Sequence, residues 1–130
     1  MLLNTSKEFL VHGINNDNFT LNGVLSIGDY AFENYELVSS AISNLNNVKY
    51  IGEASFYATN AESISFSNSL TSIGPMAYAQ CENLCCISFG NSSLSIFDNA
   101  FDSCYSLTSV NIIDIASWCK STFVNGSNPL

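Results

Sequence analysis

The stretch Ile73-Gly74-Pro75-Met76-Ala77-Tyr78 belongs to a phrase that occurs four times in this 130-residue chain. The other copies are Ile27-Gly28-Asp29-Tyr30-Ala31-Phe32, Ile51-Gly52-Glu53-Ala54-Ser55-Phe56 and Ile96-Phe97-Asp98-Asn99-Ala100-Phe101. Their opening isoleucines are 24, 22 and 23 residues apart. Self-similarity at a fixed period of this size indicates a solenoid, in which each repeat forms one coil. Because one coil cannot bury its own apolar face, each coil must be stabilised by stacking on its neighbours.

The residues that follow the phrase repeat as well. The third and fourth copies continue with matching sets at matching distances, namely Cys81, Leu84, Ile87 and Phe89, and Cys104, Leu107, Val110 and Ile112. In both copies the alanine is followed by an aromatic residue, and cysteine comes three residues after the aromatic one. This spacing is expected to place all three side chains on the inner face of a short helical turn. The last two apolar residues of each set alternate with polar ones, as in a half-buried strand. Each coil is therefore predicted to contain a helical turn, a strand and a Ser/Asn-rich return.

This pattern predicts a β-rich α/β solenoid of about four coils, with an N-terminal segment at residues 1–18, the solenoid at 19–113, and a C-terminal cap or linker at 114–130. Six side chains are predicted to stack inside it as a core ladder, namely Phe32, Phe56, Tyr78, Phe101, Cys81 and Cys104. The glycines after the isoleucines indicate tight bends or close approach between coils. The acidic residues that follow, Asp29, Glu53 and Asp98, are expected to accept hydrogen bonds from free backbone amides.

Composition excludes several classes of partner. Apolar residues make up 47% of the chain and charged residues only 11%, and the formal net charge is −8. The basic residues are three lysines, so no basic stripe can neutralise the phosphates of a nucleic acid. The sequence contains no run of about 18 apolar residues, so it predicts no membrane-spanning segment. Polar residues follow Met1-Leu2-Leu3 at once, so we expect either a cytoplasmic protein or a piece of a longer protein whose export signal lies elsewhere.

The cysteines and the single histidine predict no catalytic or metal site. Cys81 and Cys104 occupy one repeat position, where buried free thiols, a disulfide and a metal site are alternatives. Cys85 and Cys86 are adjacent, and neighbours in a strand point to opposite faces, which disfavours joint ligation of a metal. No nucleophile motif surrounds any cysteine, and His12 is the only imidazole. The sequence therefore predicts a protein that is not an enzyme and binds no cofactor.

The outer face of the strands is the candidate binding surface. If the apolar residues of each strand point inward, their neighbours form a flat ladder of small uncharged groups. These outward residues are Ser63, Ser65, Cys86, Ser88, Ser109 and Asn111. Such a surface could meet a protein or a glycan closely, although it could also be plain solvent-facing sheet.

The full pattern I-G-x-x-A-F-x-x-C-x-x-L-x-x-I-x-I resembles the BspA-like leucine-rich repeat family, over about residues 19–113. The resemblance implies a right-handed coil with parallel strands on one side and short helical turns on the other. It also implies a cell-surface or secreted module of bacterial or protist type that adheres to host matrix proteins, other surface proteins or glycans. A passive spacer in a larger surface protein and a cytosolic repeat scaffold are the alternatives.

Overall fold

The structure is a computed structural model that describes residues 2–3, 9–12, 21, 23–36, 44–125 and 127–130. The described residues contain eleven short strands and one helix. The strands are β1 (Leu2–Leu3), β2 (Phe9–His12), β3 (Ser26–Ile27), β4 (Asn44–Leu45), β5 (Tyr50–Ile51), β6 (Ser63–Phe66), β7 (Ser72–Ile73), β8 (Cys86–Phe89), β9 (Ser95–Ile96), β10 (Ser109–Ile112) and β11 (Thr122–Phe123). The helix, α1, spans Ile115–Trp118.

The strands predicted from the alternation of apolar and polar residues lie in one parallel sheet, in the order β10-β8-β6-β4. Ile64 lies opposite Ile87, and Ile87 lies opposite Val110, so equivalent residues of successive coils are paired in register. Because side chains alternate along a strand, this register directs the apolar set inward and the polar set outward in every coil. The predicted solenoid of stacked coils with parallel strands is confirmed.

A second sheet, which the sequence did not predict, runs through the isoleucine that opens each phrase. Its order is β1-β2-β3-β5-β7-β9-β11, and all its pairs are parallel except β1 with β2. Ile27 pairs with Ile51, Ile51 with Ile73, and Ile73 with Ile96. Strand β2 lies within the segment predicted to precede the solenoid, yet it pairs with β3. The boundary predicted at residues 18–19 itself lies outside the described residues.

The segments predicted as short helical turns are consecutive reverse turns instead. Tyr30 and Asn34 have φ angles of 55° and 57°, and the later coils have left-handed residues at equivalent positions. With this geometry the amides of Tyr30, Phe32 and Asn34 point along the solenoid and donate to carbonyls of the next coil, at 2.7–2.8 Å. In a helix these amides would bond within their own segment. The turns therefore add a third ladder of hydrogen bonds between coils.

Gly52 and Gly74 of the repeated phrase are required by close contact between coils. A Cβ atom added to Gly74 would lie 2.7 Å from the carbonyl carbon of Gly52 and 2.8 Å from the amide nitrogen of Glu53. One built on Gly52 would lie 2.5 Å from Oδ1 of Asp29. Asp29 in turn accepts a hydrogen bond from the Glu53 amide at 2.8 Å. This carboxylate therefore caps a backbone amide of the next coil.

Aromatic rings fill the space between the sheets and the turns. Phe32, Phe56, Tyr78 and Phe101 stack in sequence, with centroid separations of 5.1, 4.9 and 5.6 Å and interplanar angles of 10° or less. A second column lies under the strands, where the rings of Phe66 and Phe89 stack at 5.2 Å. Burying such rings removes a large apolar area from water, which is the main stabilising contribution in a core of this kind.

Residues of the C-terminal tail pack onto the last coil. Asp114 caps α1 by accepting a hydrogen bond from the Ala116 amide, and the buried Trp118 extends the aromatic column at 4.7 Å from the ring centroid of Phe89. Strand β11 pairs with β9. Buried Ser127 donates its hydroxyl to the carbonyl of Ile96 at 3.0 Å.

Candidate interaction surface

The outward side chains of β6, β8 and β10 form a regular array, which we call the strand face. It consists of Ser63, Ser65, Cys86, Ser88, Ser109 and Asn111. Ser63 and Ser109 both lie opposite Cys86, while Ser65 and Asn111 both lie opposite Ser88. Strands in a sheet are about 4.8 Å apart, so the six side chains form two rows that cross three coils.

The strand face is uncharged and accessible. Ser63, Ser65, Ser109 and Asn111 are exposed, whereas Cys86 and Ser88 are half-buried. The nearest carboxylate in sequence belongs to Glu62, an exposed residue that immediately precedes β6. Directly behind the face, Ile64 and Ile87 are almost fully buried. The array is therefore a shallow hydroxyl- and amide-bearing surface on a closely packed support.

The two repeated cysteines serve the core. Both thiols are free. Cys81 donates its thiol to the carbonyl of Phe56 at 3.1 Å, and Cys104 donates to the carbonyl of Tyr78 at 3.1 Å. Burial raises the pKa of the Cys81 thiol and raises that of Cys104 to about 12, so both stay protonated at neutral pH. Each thiol thus satisfies a carbonyl of the preceding coil, a role that small apolar packing alone would not have indicated.

The adjacent cysteines differ from the prediction. Cys85 and Cys86 do not point to opposite faces, because their sulfur atoms lie 2.9 Å apart. Strand β8 begins at Cys86, so the alternation of a strand does not apply to Cys85. The hydrogen bond between the two thiols, with a smaller contribution from burial, raises the pKa of Cys86.

Other polar side chains bridge neighbouring coils. The Tyr30 hydroxyl donates to Oε1 of Glu53 at 2.6 Å, and this bond raises the pKa of Tyr30. The amide of Asn125 donates to the carboxylate of Asp98 at 3.2 Å. Among the residues that the structure describes, no three His, Cys, Asp or Glu side chains are placed to hold a metal ion. The side chain of His12 lies outside the described residues.

Comparison with known proteins gives one match. The family model for the BspA type leucine rich repeat region matches residues 6–128 in six copies. The parallel strands β2, β3, β5, β7, β9 and β11 of the second sheet are also six in number. No curated protein and no solved structure matches the chain. In the part of the chain that the structure describes, no helix has the length and hydropathy needed to cross a bilayer.

Proposed function

Because the chain belongs to the BspA-type leucine-rich repeat family, we propose that it is a non-catalytic protein-interaction module whose ligand docks on the strand face. The observation that carries this proposal is the register of Ser63, Cys86 and Ser109 in one row and of Ser65, Ser88 and Asn111 in the other. Stacked coils present extended surfaces of this kind, and repeat proteins use such surfaces for binding.

Small side chains favour close approach by a partner. Serine and asparagine offer donors and acceptors on short side chains, so binding them costs little side-chain entropy. The packed core behind the face holds the rows in place before the ligand arrives, which lowers the ordering cost of association. The absence of charge from these six residues favours a partner surface that is itself polar and uncharged, and a macromolecular protein surface meets a flat array better than a small molecule does.

We further propose that the module is displayed at the cell surface or secreted, as part of an adhesin that binds a host matrix or surface protein. The family resemblance supports this location and role. Immunolabelling of intact cells that express the full-length protein, with a cytoplasmic protein as the negative control, tests the location. Labelling that appears only after the cells are permeabilised would favour the cytosolic scaffold instead.

The binding test compares two triple variants of equal charge. Immobilised fibronectin, fibrinogen and a glycan array are probed with wild-type protein, with Ser65, Ser88 and Asn111 all changed to Lys, and with a control in which Asn47, Ser93 and Ser106 are changed to Lys. The control positions are exposed and lie outside the strand face. We expect the first variant to bind a matrix protein at least about tenfold more weakly, a loss of about 1.4 kcal/mol, while the control stays within about twofold of wild type.

Four results would contradict the proposal in different ways. Equal weakening of both variants would indicate a general charge effect, and unchanged binding of the first variant would remove the strand face from the interaction. Binding to glycans alone would replace the protein ligand with a carbohydrate. Absence of binding to every probe would favour the passive spacer.

A further inference from the structure

The thiol of Cys86, a member of the strand face, lies next to the thiol of Cys85, the residue that precedes β8. Their sulfur atoms lie 2.9 Å apart, and both side chains are half-buried. A disulfide bond is about 2.05 Å long, about 0.9 Å shorter than this separation. Because the Cα atoms of adjacent residues are only about 3.8 Å apart, closing the bond also strains the peptide between them. Both thiols are within reach of a small reagent in solution.

The pair is peculiar to one coil. At the equivalent positions the preceding coil has Glu62 and Ser63, and the following coil has Thr108 and Ser109. The stacking of the coils therefore does not require cysteine here. This distinguishes the pair from Cys81 and Cys104, whose thiols bond to backbone carbonyls of the preceding coil.

The backbone of Cys85 joins three coils. Its amide donates to the carbonyl of Glu62 at 2.9 Å, and its own carbonyl accepts from the amides of Thr108 and Ser109, both at 3.1 Å. A disulfide between adjacent residues closes a small ring that contains the peptide bond between them. Such a ring constrains this peptide and therefore changes the hydrogen bonds at the start of β10.

We propose that Cys85 and Cys86 form a reversible dithiol–disulfide site at the edge of the strand face, which is oxidised by a low-molecular-weight disulfide such as oxidised glutathione. One cysteine loses its proton and attacks a sulfur of the reagent, which releases one glutathione thiol and leaves a mixed disulfide. The second cysteine loses its proton and attacks the protein-bound sulfur, which releases the second glutathione thiol. Two S–H bonds of the protein are replaced by one S–S bond, and the reagent takes up the two electrons and two protons.

This chemistry stands without the proposed function, whereas its effect on ligand binding rests on it. Oxidation changes Cys86, a member of the strand face, and alters the hydrogen bonds that position Ser109, another member. The site would therefore couple the redox state of the surroundings to the shape of the binding surface.

Thiol counting tests the proposal. The folded Cys119→Ser variant is used throughout, because Cys119 is exposed and alone and would itself take up glutathione. The protein is equilibrated with oxidised glutathione, alkylated with iodoacetamide after unfolding, and measured by intact mass. We expect two of its four cysteines to escape alkylation with no glutathione attached, and to become alkylatable after dithiothreitol treatment. Cys85→Ser or Cys86→Ser in the same background should instead retain one glutathione.

Four alkylated cysteines after oxidation, or protection of two cysteines that persists when Cys85 is replaced, would overturn the proposal. Far-UV circular dichroism of each variant confirms that the comparison is made between folded proteins.

Hydrogen exchange then tests whether oxidation of the two cysteines affects the strand face. Exchange at the Thr108 and Ser109 amides should be several-fold faster in the oxidised form, while Ser95, whose amide bonds to the Thr71 carbonyl, should be unchanged. Equal exchange rates of the Thr108 and Ser109 amides in the oxidised and reduced forms would overturn the coupling.

A failure of the proposed function can be told apart from a failure of this proposal. Lack of ligand binding by the reduced protein would count against the proposed function alone, since neither thiol counting nor hydrogen exchange uses a ligand.

Discussion

The replacement of Phe56 by alanine tests whether the stacked rings hold the coils together. Phe56 is fully buried, and its ring lies 5.1 Å from that of Phe32 and 4.9 Å from that of Tyr78. Truncation of a buried phenylalanine costs about 3–5 kcal/mol, and each lost ring pair contributes about 0.5–1.5 kcal/mol beyond its buried area, so the upper half of that range is expected. A chain of this length has a free energy of unfolding of about 6–20 kcal/mol, so the variant should lose a substantial fraction of its stability.

The assay is thermal and urea denaturation followed by circular dichroism. Each kcal/mol lowers the melting temperature of a domain of this size by about 3–5 °C, so Phe56→Ala should melt roughly 12–25 °C below wild type. The control is Phe97→Ala, because Phe97 is 41% exposed and lies outside the stacked column. It should lose about 1 kcal/mol or less. A Phe56→Ala melt within a degree of wild type, or equal losses for the two variants, would refute the reasoning.

Three other predictions concern stability and use urea denaturation. Tyr78→Phe and Ser55→Ala should each stabilise the protein by about 1 kcal/mol, since each removes a buried hydroxyl that has no hydrogen-bond partner among the described residues. Gly74→Ala should destabilise it by about 1–3 kcal/mol, because the added Cβ would lie 2.7 Å from backbone of the preceding coil. Asp114→Ala should be less stable than wild type at pH 7, and this difference should narrow as the pH falls below about 4. The hydrogen bond from the Ser117 hydroxyl is the main cause of the lowered pKa of Asp114. The ionised Asp114 carboxylate therefore contributes to the free energy of unfolding above the unfolded-state pKa, and this contribution is lost as the pH falls through the folded-state pKa.

Matched measurements distinguish these effects from general ones. Tyr105→Phe removes a hydroxyl from a ring that is 80% exposed and should leave stability unchanged, so a similar gain there would contradict the desolvation argument for Tyr78. An unchanged free energy of unfolding for Gly74→Ala would show that the coils can separate at no cost. A difference for Asp114→Ala that stays constant from pH 7 to pH 2 would exclude the ionised carboxylate as its origin.

The two orphaned hydroxyls occur where the repeat deviates from itself. Tyr78 stands where the other copies have Phe32, Phe56 and Phe101. Ser55 stands where the other copies of the phrase have alanine. Alignment of the four copies with one another therefore identifies both positions from the sequence alone. The lack of a hydrogen-bond partner for these two oxygens could not be predicted, because it depends on atoms of neighbouring coils.

The inward positions were predictable because each is repeated under the same constraint. Ile64, Ile87 and Val110 recur at one place in the coil, and the sheet aligns them residue for residue. The turns were not predictable from that pattern. Tyr30 and Ala54 adopt positive φ angles that side chains other than glycine rarely take, so nothing in their residue types indicated a left-handed conformation. The hydrogen bonds to the next coil determine this geometry, and these are long-range in sequence.

The location of the strand face could be predicted, but the contact between Cys85 and Cys86 could not. Alternation in a strand places Ser65 and Ser88 outward as soon as Ile64 and Ile87 are directed inward. The same rule gave the wrong result for Cys85, because the strand begins one residue later than the apolar pattern suggested. An error of one residue in the predicted start of a strand has little effect on the predicted fold, but here it changes whether the two thiols are in contact.

Stability and binding should separate at the strand face, and this separation tests where function resides. Exchange of an exposed polar side chain usually changes the free energy of unfolding by no more than about 0.5 kcal/mol, so the fold leaves Ser65 and Asn111 free to vary. The Ser65, Ser88 and Asn111 to Lys variant should therefore melt within a few degrees of wild type even though it binds at least about tenfold more weakly. If it unfolds instead, the outward rows contribute to stability, and the variant gives no support to a binding role. Retained stability with lost binding would assign recognition to the residues that stacking does not determine.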